Sequence, residues 1–187
     1  MKRSVFVLFL IFLFSCSQDK IVPLYTLYEV EGKLYQKNKK TPYTGYVDPL
    51  PLGHSEDRTG KGYVHLGHRA GTWEVYKDYV LTLSTIYING KIREKRTYNE
   101  ELFDEYGGYK LLFWTKYWDN GEFKERHSFS PTTGEQDGLI QKNKEGEFDG
   151  INWNLGERDT RITAIFNNGK YIYGETSKNG KIISSYP

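Results

Sequence analysis

Along most of the chain, apolar and polar residues alternate in short runs that break at small turn-forming pairs. Thr85-Ile86-Tyr87-Ile88 and Thr163-Ala164-Ile165-Phe166 are such runs. They are rich in the β-branched and aromatic residues that pleated strands prefer. The breaks are Asn89-Gly90, Asn120-Gly121, Asn168-Gly169 and Asn179-Gly180, with Glu31-Gly32 and Glu145-Gly146 as looser versions. Asn-Gly favours a type I′ hairpin turn, because both central residues need a positive φ. The pattern therefore predicts an all-β chain of consecutive antiparallel hairpins. Asp48 to Gly62 and Ser130 to Asp137 read as loops. Asn99 to Tyr106 (NEELFDEY) is the best candidate for a single short helical turn.

One run departs from alternation. Val5 to Phe14 is unbroken apolar sequence, preceded by Lys2 and Arg3 and followed at once by polar residues. A helix that crosses a bilayer needs about 20 apolar residues, and this run has about half that, the size of a signal-peptide core. Leu13-Phe14-Ser15-Cys16 resembles the bacterial lipobox, an aliphatic, a variable and a small residue before a cysteine. Cys16 is the only cysteine, so no intramolecular disulfide is available, and thioether lipidation at the cleavage site accounts for the odd thiol. An ordinary secretory cleavage or an uncleaved anchor are the alternatives. The expected organisation is a signal peptide over 1–15, a lipidated tether over 16–24 and a repeat domain over 25–187. Ser17, after the cysteine, is not the Asp that retains some lipoproteins at the inner membrane, which favours the outer membrane.

Cleavage changes the charge balance. The full chain carries 26 Lys and Arg against 24 Asp and Glu. Removing Lys2 and Arg3 leaves 24 against 24, so the exported part has no basic surplus for nucleic acid. Its aromatic load is heavy, with 16 Tyr and 4 Trp in a chain of 19 Gly. Amphipathic rings are expected to do much of the burying, with Tyr hydroxyls at the wet edge.

An internal duplication stands out. Gly67-x-x-x-Gly71 aligns with Gly146-x-x-x-Gly150, and the same offset places Tyr87 on Phe166, Asn89 on Asn168, Gly90 on Gly169 and Lys91 on Lys170. Trp73 and Trp153 are out of step by one residue, which a bulge could absorb. Tyr117, Trp118, Asn120, Gly121 and Phe123 form a similar hairpin between the copies. A fixed period marks stacked supersecondary units. These units resemble MORN repeats, and more closely the bacterial antitoxin-like variant of the YwqK type. The resemblance implies hairpins laid side by side in an elongated, twisted sheet. It also implies a scaffold or protein-binding role, in some members of antitoxin or immunity type, with no shared catalytic residues.

Candidate chemistry is sparse. The histidines are His54, His65, His68 and His127, and only His65-x-x-His68 is a close pair. Residues three apart on one strand face opposite sides, so a shared metal needs an intervening turn. No metal or cofactor is expected. No Gly-x-Ser-x-Gly elbow is present, Gly60-Lys61-Gly62 lacks the context of a phosphate loop, and the acid pairs Glu100-Glu101 and Asp104-Glu105 read as a solvated turn. Trp73 and Trp153, at equivalent repeat positions, are expected in the core. Phe113, Trp114, Tyr117 and Trp118 are the candidate partner surface, on which Trp118→Ala would weaken binding with little loss of stability.

Three readings follow. The first is a lipid-anchored envelope protein, held to the membrane through Cys16, whose repeats bind a protein partner without catalysis. The second is a structural component that binds glycan or peptidoglycan through aromatic faces. The third, a hydrolase, lacks a catalytic constellation.

Overall fold

The computed structural model describes residues 20–48, 59–103, 109–156 and 160–187. The expected signal segment, Cys16 and His54 lie outside the described residues. The strands, in chain order, are β1 Ile21–Pro23, β2 Leu27–Val30, β3 Lys33–Gln36, β4 Gly45–Asp48, β5 Thr59–His65, β6 His68–Lys77, β7 Val80–Ile88 and β8 Lys91–Phe103. They continue with β9 Tyr109–Tyr117, β10 Phe123–Phe129, β11 Gln136–Gln141, β12 Gly150–Leu155, β13 Thr160–Asn167, β14 Lys170–Lys178 and β15 Lys181–Tyr186. A single 3-10 turn, Leu24–Thr26, joins β1 to β2.

The chain is all-β, with consecutive antiparallel strands in one long open sheet. β1 pairs in parallel with β4, and each strand from β4 to β15 is antiparallel to the next, giving thirteen strands in linear order. At about 4.8 Å between neighbours, the sheet spans roughly 58 Å from edge to edge. β2 and β3 form a separate two-stranded hairpin.

Three expectations change. The Asn99 to Tyr106 segment is not a helical turn where it is described: β8 runs on to Phe103, which pairs with Tyr109. A short helix has no packing partner here, whereas the strand gains a ladder, so tertiary pairing wins. Thr59 to Gly62 belongs to β5 rather than to a loop. Ile21–Pro23, expected outside the folded domain, joins the sheet, and Val22 enters the core.

Turn chemistry follows φ. Asn89, Asn168 and Asn179 take φ of 51°, 46° and 51°, each followed by a glycine near 75°, and Glu31-Gly32 does the same. Asn120 does not. Its side-chain carbonyl instead accepts the Glu122 N–H at 3.1 Å, in a wider turn closed by the Trp118 N–H to the Glu122 oxygen. Asp78-Tyr79 and Leu66-Gly67 adopt the left-handed pair without the Asn-Gly signature.

The duplication is real in the backbone. Gly67 and Gly146 have φ of 85° and 83°, and Gly71 and Gly150 have 65° and 74°. Gly71 pairs with Tyr87 as Gly150 pairs with Phe166. The tryptophans do not follow. Trp73 pairs with Thr85, and the residue matching it in the second copy is Asn152, paired with Ala164. No bulge in β12 restores the step, so Trp153 points to the opposite face. Trp73 is 5% exposed, Trp153 is half-buried, and Asn152 takes the buried place with its side-chain oxygen accepting the Gln141 N–H at 2.6 Å.

Burial is concentrated at one end. Val22, Leu27, Leu34, Tyr43, Val47, Val64 and Trp73 form the core, with Leu24 and Tyr87 against it. The β2–β3 hairpin supplies Leu27 and Leu34 and lies over the face of the sheet that carries Trp73. Main-chain bonds tie it there, from the Leu34 N–H to the Gly67 oxygen (2.8 Å) and from the Gly67 N–H to the Tyr43 oxygen (2.7 Å). From β8 to β15 no described element covers either face.

Candidate interaction surface

Side chains of a strand alternate between faces, and cross-strand partners share one. On the face opposite the hairpin, the registers place one residue per strand in a continuous row: Glu74, Ser84, Arg96, Trp114, His127, Leu139, Trp153, Thr163 and Glu175. The hairpin face carries Trp73, Thr85, Lys95, Thr115, Arg126 and Ile140 in the matching row.

The centre of the open face is a stack. The Trp114 ring lies 4.9 Å from the His127 ring at 26°, with the Lys116 ammonium 4.3 Å and the Arg96 guanidinium 5.8 Å from its centre. Glu125 binds Lys116 at 2.7 Å and lies 3.5 Å from His127, while Arg96 pairs with Glu94 at 2.6 Å. Burial raises the Glu125 carboxyl, but the hydrogen bonds and charges of Lys116 and His127 outweigh it and hold the group below the ordinary carboxylate range. A second cluster lies on β5 and β6. The Tyr76 hydroxyl donates to Glu74 at 2.7 Å and Lys61 pairs with the same oxygen at 3.0 Å. Burial raises Glu74 too, and the Tyr76 and Lys61 hydrogen bonds bring it below its usual value; Tyr76 and Glu74 in turn push Lys61 up.

Cations lie over rings throughout the sheet. Lys61 covers Tyr76, Arg69 covers Trp73, Lys124 and Lys144 cover Trp118, Arg126 and Lys142 cover Phe123, and Arg161 covers Trp153 at 4.2 Å. About one such contact per 70–80 residues is ordinary. The excess here has a physical cause: where the sheet is a single layer no second layer shields its rings, so the cationic head groups of Lys and Arg lie over them instead.

The aliphatic residues of the last four strands are treated differently. Ile151, Leu155, Ile162 and Ile172 are about half exposed, and Ile182 and Ile183 on the edge strand β15 are 60% and 61% exposed. The opposite edge is short, since β1 has three residues and ends in Pro23. Exposed aliphatic side chains are thus most frequent in these four strands, although Ile21, Val30, Leu66 and Ile88 are also exposed elsewhere.

The four residues expected to form a partner surface are not brought together. Phe113 and Tyr117 project to the hairpin face, Trp114 to the open face, and Trp118 sits in the turn after β9. Phe113 is 43% exposed, while Trp118 is half-buried with its indole N–H donating to the Lys142 oxygen at 3.0 Å. Trp118 belongs to a series of ties along one long side of the sheet. Lys91 and Arg93 reach Asp119, Asn120 reaches the Lys144 oxygen, and the Gly169 N–H bonds the Phe148 oxygen. Each turn on that side thus rests on a neighbour. Sequence reading missed this series, although Asn120, Gly146, Asn168 and Gly169 were the residues it singled out as repeat markers.

His65 and His68 also differ from expectation. The Leu66-Gly67 turn intervenes, so the two residues are direct cross-strand partners on one face. Among the described residues no third His, Cys, Asp or Glu joins them to complete a metal-holding group. Also among the described residues, no helix is long and apolar enough to cross a membrane. Comparison with known proteins finds no matching family model, no matching curated protein and no matching solved structure.

Proposed function

We propose that the chain is a lipid-anchored protein of the bacterial envelope whose sheet is a non-catalytic scaffold for a protein partner. The observation that carries the reading is the distribution of bare apolar surface. Many rings of the sheet lie under Lys and Arg head groups, while Ile151, Leu155, Ile162, Ile172, Ile182 and Ile183 stand in solvent near the open edge. Ile151 and Leu155 share the open face with Trp153, while Ile162, opposite Asn154, lies on the other face, so both faces of this end carry apolar side chains of the kind that mark contact sites. Glycan recognition would draw on uncovered aromatic rings, and all three tryptophans of the strands, Trp73, Trp114 and Trp153, lie under cations, which favours the protein reading. The Cys16 anchor rests on the N-terminal pattern, and an antitoxin or immunity role rests on the MORN resemblance alone.

The test is site-specific photo-crosslinking in the native envelope. A photoreactive residue at Leu155 or Ile162 is expected to capture one dominant protein, and the same probe at Lys95, on the middle of the sheet, is expected not to. Capture of glycan alone, or equal capture from all three positions, would sink the reading.

A further inference from the structure

We propose that the turn after β3 is a binding site for the phosphate of anionic lipid headgroups, so that the hairpin outside the main sheet rests on the membrane surface. Lys33, Lys37, Lys39 and Lys40 lie within eight residues, and no Asp or Glu occurs from residue 33 to 47. All four lysines are exposed, and among the described residues no carboxylate pairs with any of them. The charges are therefore free for an external anion.

The backbone that presents these lysines is held in a defined turn. Tyr28, Lys37, Asn38, Lys39 and Lys40 line an open concavity of about 510 Å³. Its wall is fixed by the Lys37 N–H to the Thr26 oxygen and the Lys39 N–H to the Gln36 oxygen, both 2.9 Å, with Asn38 in the left-handed region at φ 66°. The Tyr28 ring stacks on Tyr35 at 5.8 Å and its hydroxyl leans to the Lys39 oxygen. Three ammonium groups and an amide around a phenol suit a phosphate on an amphipathic surface. Exposed Ile21, Tyr25 and Val30 on the adjacent segment supply apolar side chains at headgroup depth.

Chain position says which source of phosphate fits. The hairpin follows directly on β1 and the 3-10 turn at the start of the fold, and Lys20, the first described residue, is four positions after Cys16. Four Cα–Cα steps span at most about 14 Å, so an anchored Cys16 holds this end of the protein against the bilayer. A single acyl anchor binds weakly unless a second signal such as a basic patch adds to it. The inference rests on the proposed anchoring, and the experiment separates the two.

The full chain is reconstituted in vesicles of phosphatidylcholine, with or without phosphatidylglycerol, and its lysines are acetylated by an amine-reactive ester and read by mass spectrometry. On phosphatidylglycerol vesicles Lys37, Lys39 and Lys40 are expected to label about five-fold more slowly, while Lys170, Lys178 and Lys181 at the far end do not change. High salt is expected to remove the protection, and Lys37→Gln with Lys39→Gln is expected to relieve it at Lys40. Equal rates on the two vesicles would overturn the site. Protection by inorganic phosphate on phosphatidylcholine vesicles would overturn the assignment to lipid. The mass of the Cys16 peptide reports the anchor independently, so protected lysines on an unlipidated chain would keep the site and remove the lipoprotein reading.

Discussion

Gly62→Ala is expected to be among the most damaging single-methyl changes in the protein. An alanine Cβ at this position would lie 2.5–2.6 Å from three ring carbons of Trp73. Carbon atoms sit comfortably at about 3.5–4.0 Å, so the indole must retreat by roughly 1 Å. It has nowhere to go. Trp73 is 5% exposed, its N–H donates to the Tyr63 oxygen at 2.8 Å, and the Arg69 guanidinium lies over its ring at 5.3 Å. Overpacking costs about 1–3 kcal/mol, and stranding a buried donor costs about 1–3 kcal/mol. A loss near 3–4 kcal/mol follows. Gly71→Ala is the contrast: nothing lies within 4 Å of its Cβ, so only the φ of 65° is penalised, at about 1–2 kcal/mol. With a urea slope of about 2 kcal/mol per M, the Gly62 variant should lose roughly 1.5–2 M in midpoint and the Gly71 variant about half or less of that. Because the damage acts through the indole, Gly62→Ala should cost little in a Trp73→Ala background. Equal losses for the two glycines, or a Gly62→Ala effect undiminished without the indole, would refute the reasoning.

Trp73→Ala should cost about 3–5 kcal/mol, whereas Trp153→Ala, half-buried on the other face under Arg161, should cost about 1–2 kcal/mol; urea midpoints decide, and equal losses would restore the equivalence of the two tryptophans. Trp118→Ala should destabilise by about 2 kcal/mol, through its bond to the Lys142 oxygen and the ring packed under Lys124 and Lys144; an unchanged melting temperature would return Trp118 to the role of a free contact residue. Glu74 and Glu125 are both held below the ordinary 4.5, so they stabilise the fold above that pH and lose the contribution as pH falls through their lowered values. Thermal melts at pH 6 and pH 3 should therefore differ less in Glu125→Gln than in the parent chain, and an identical acid slope would count against the Lys116–Glu125–His127 cluster.

Local sequence determined the strand-and-hairpin character of this protein. The alternating runs became β7 and β13, and the pairs Asn89-Gly90, Asn168-Gly169 and Asn179-Gly180 took the positive φ their chemistry favours. The duplication, carried by Gly67, Gly71 and their partners, was legible for the same reason: a φ that few side chains tolerate leaves its mark on residue choice.

Tertiary structure alone decided which face each ring occupies and what covers it. A one-residue offset is invisible as similarity yet reverses a side chain in a strand, so Trp73 entered the core while Trp153 faced away and Asn152 replaced it. The Leu66-Gly67 turn put His65 opposite His68, against the spacing rule for one continuous strand. The Trp118 bond to Lys142 and the cations over Trp114 join residues from separate strands and turns, and no local pattern encodes such a pairing. Nor could composition show that, among the described residues, the thirteen-strand sheet has a second layer only at its N-terminal end. That placement depends on where the β2–β3 hairpin docks, and docking is set by the summed contacts of the whole sheet rather than by any one segment.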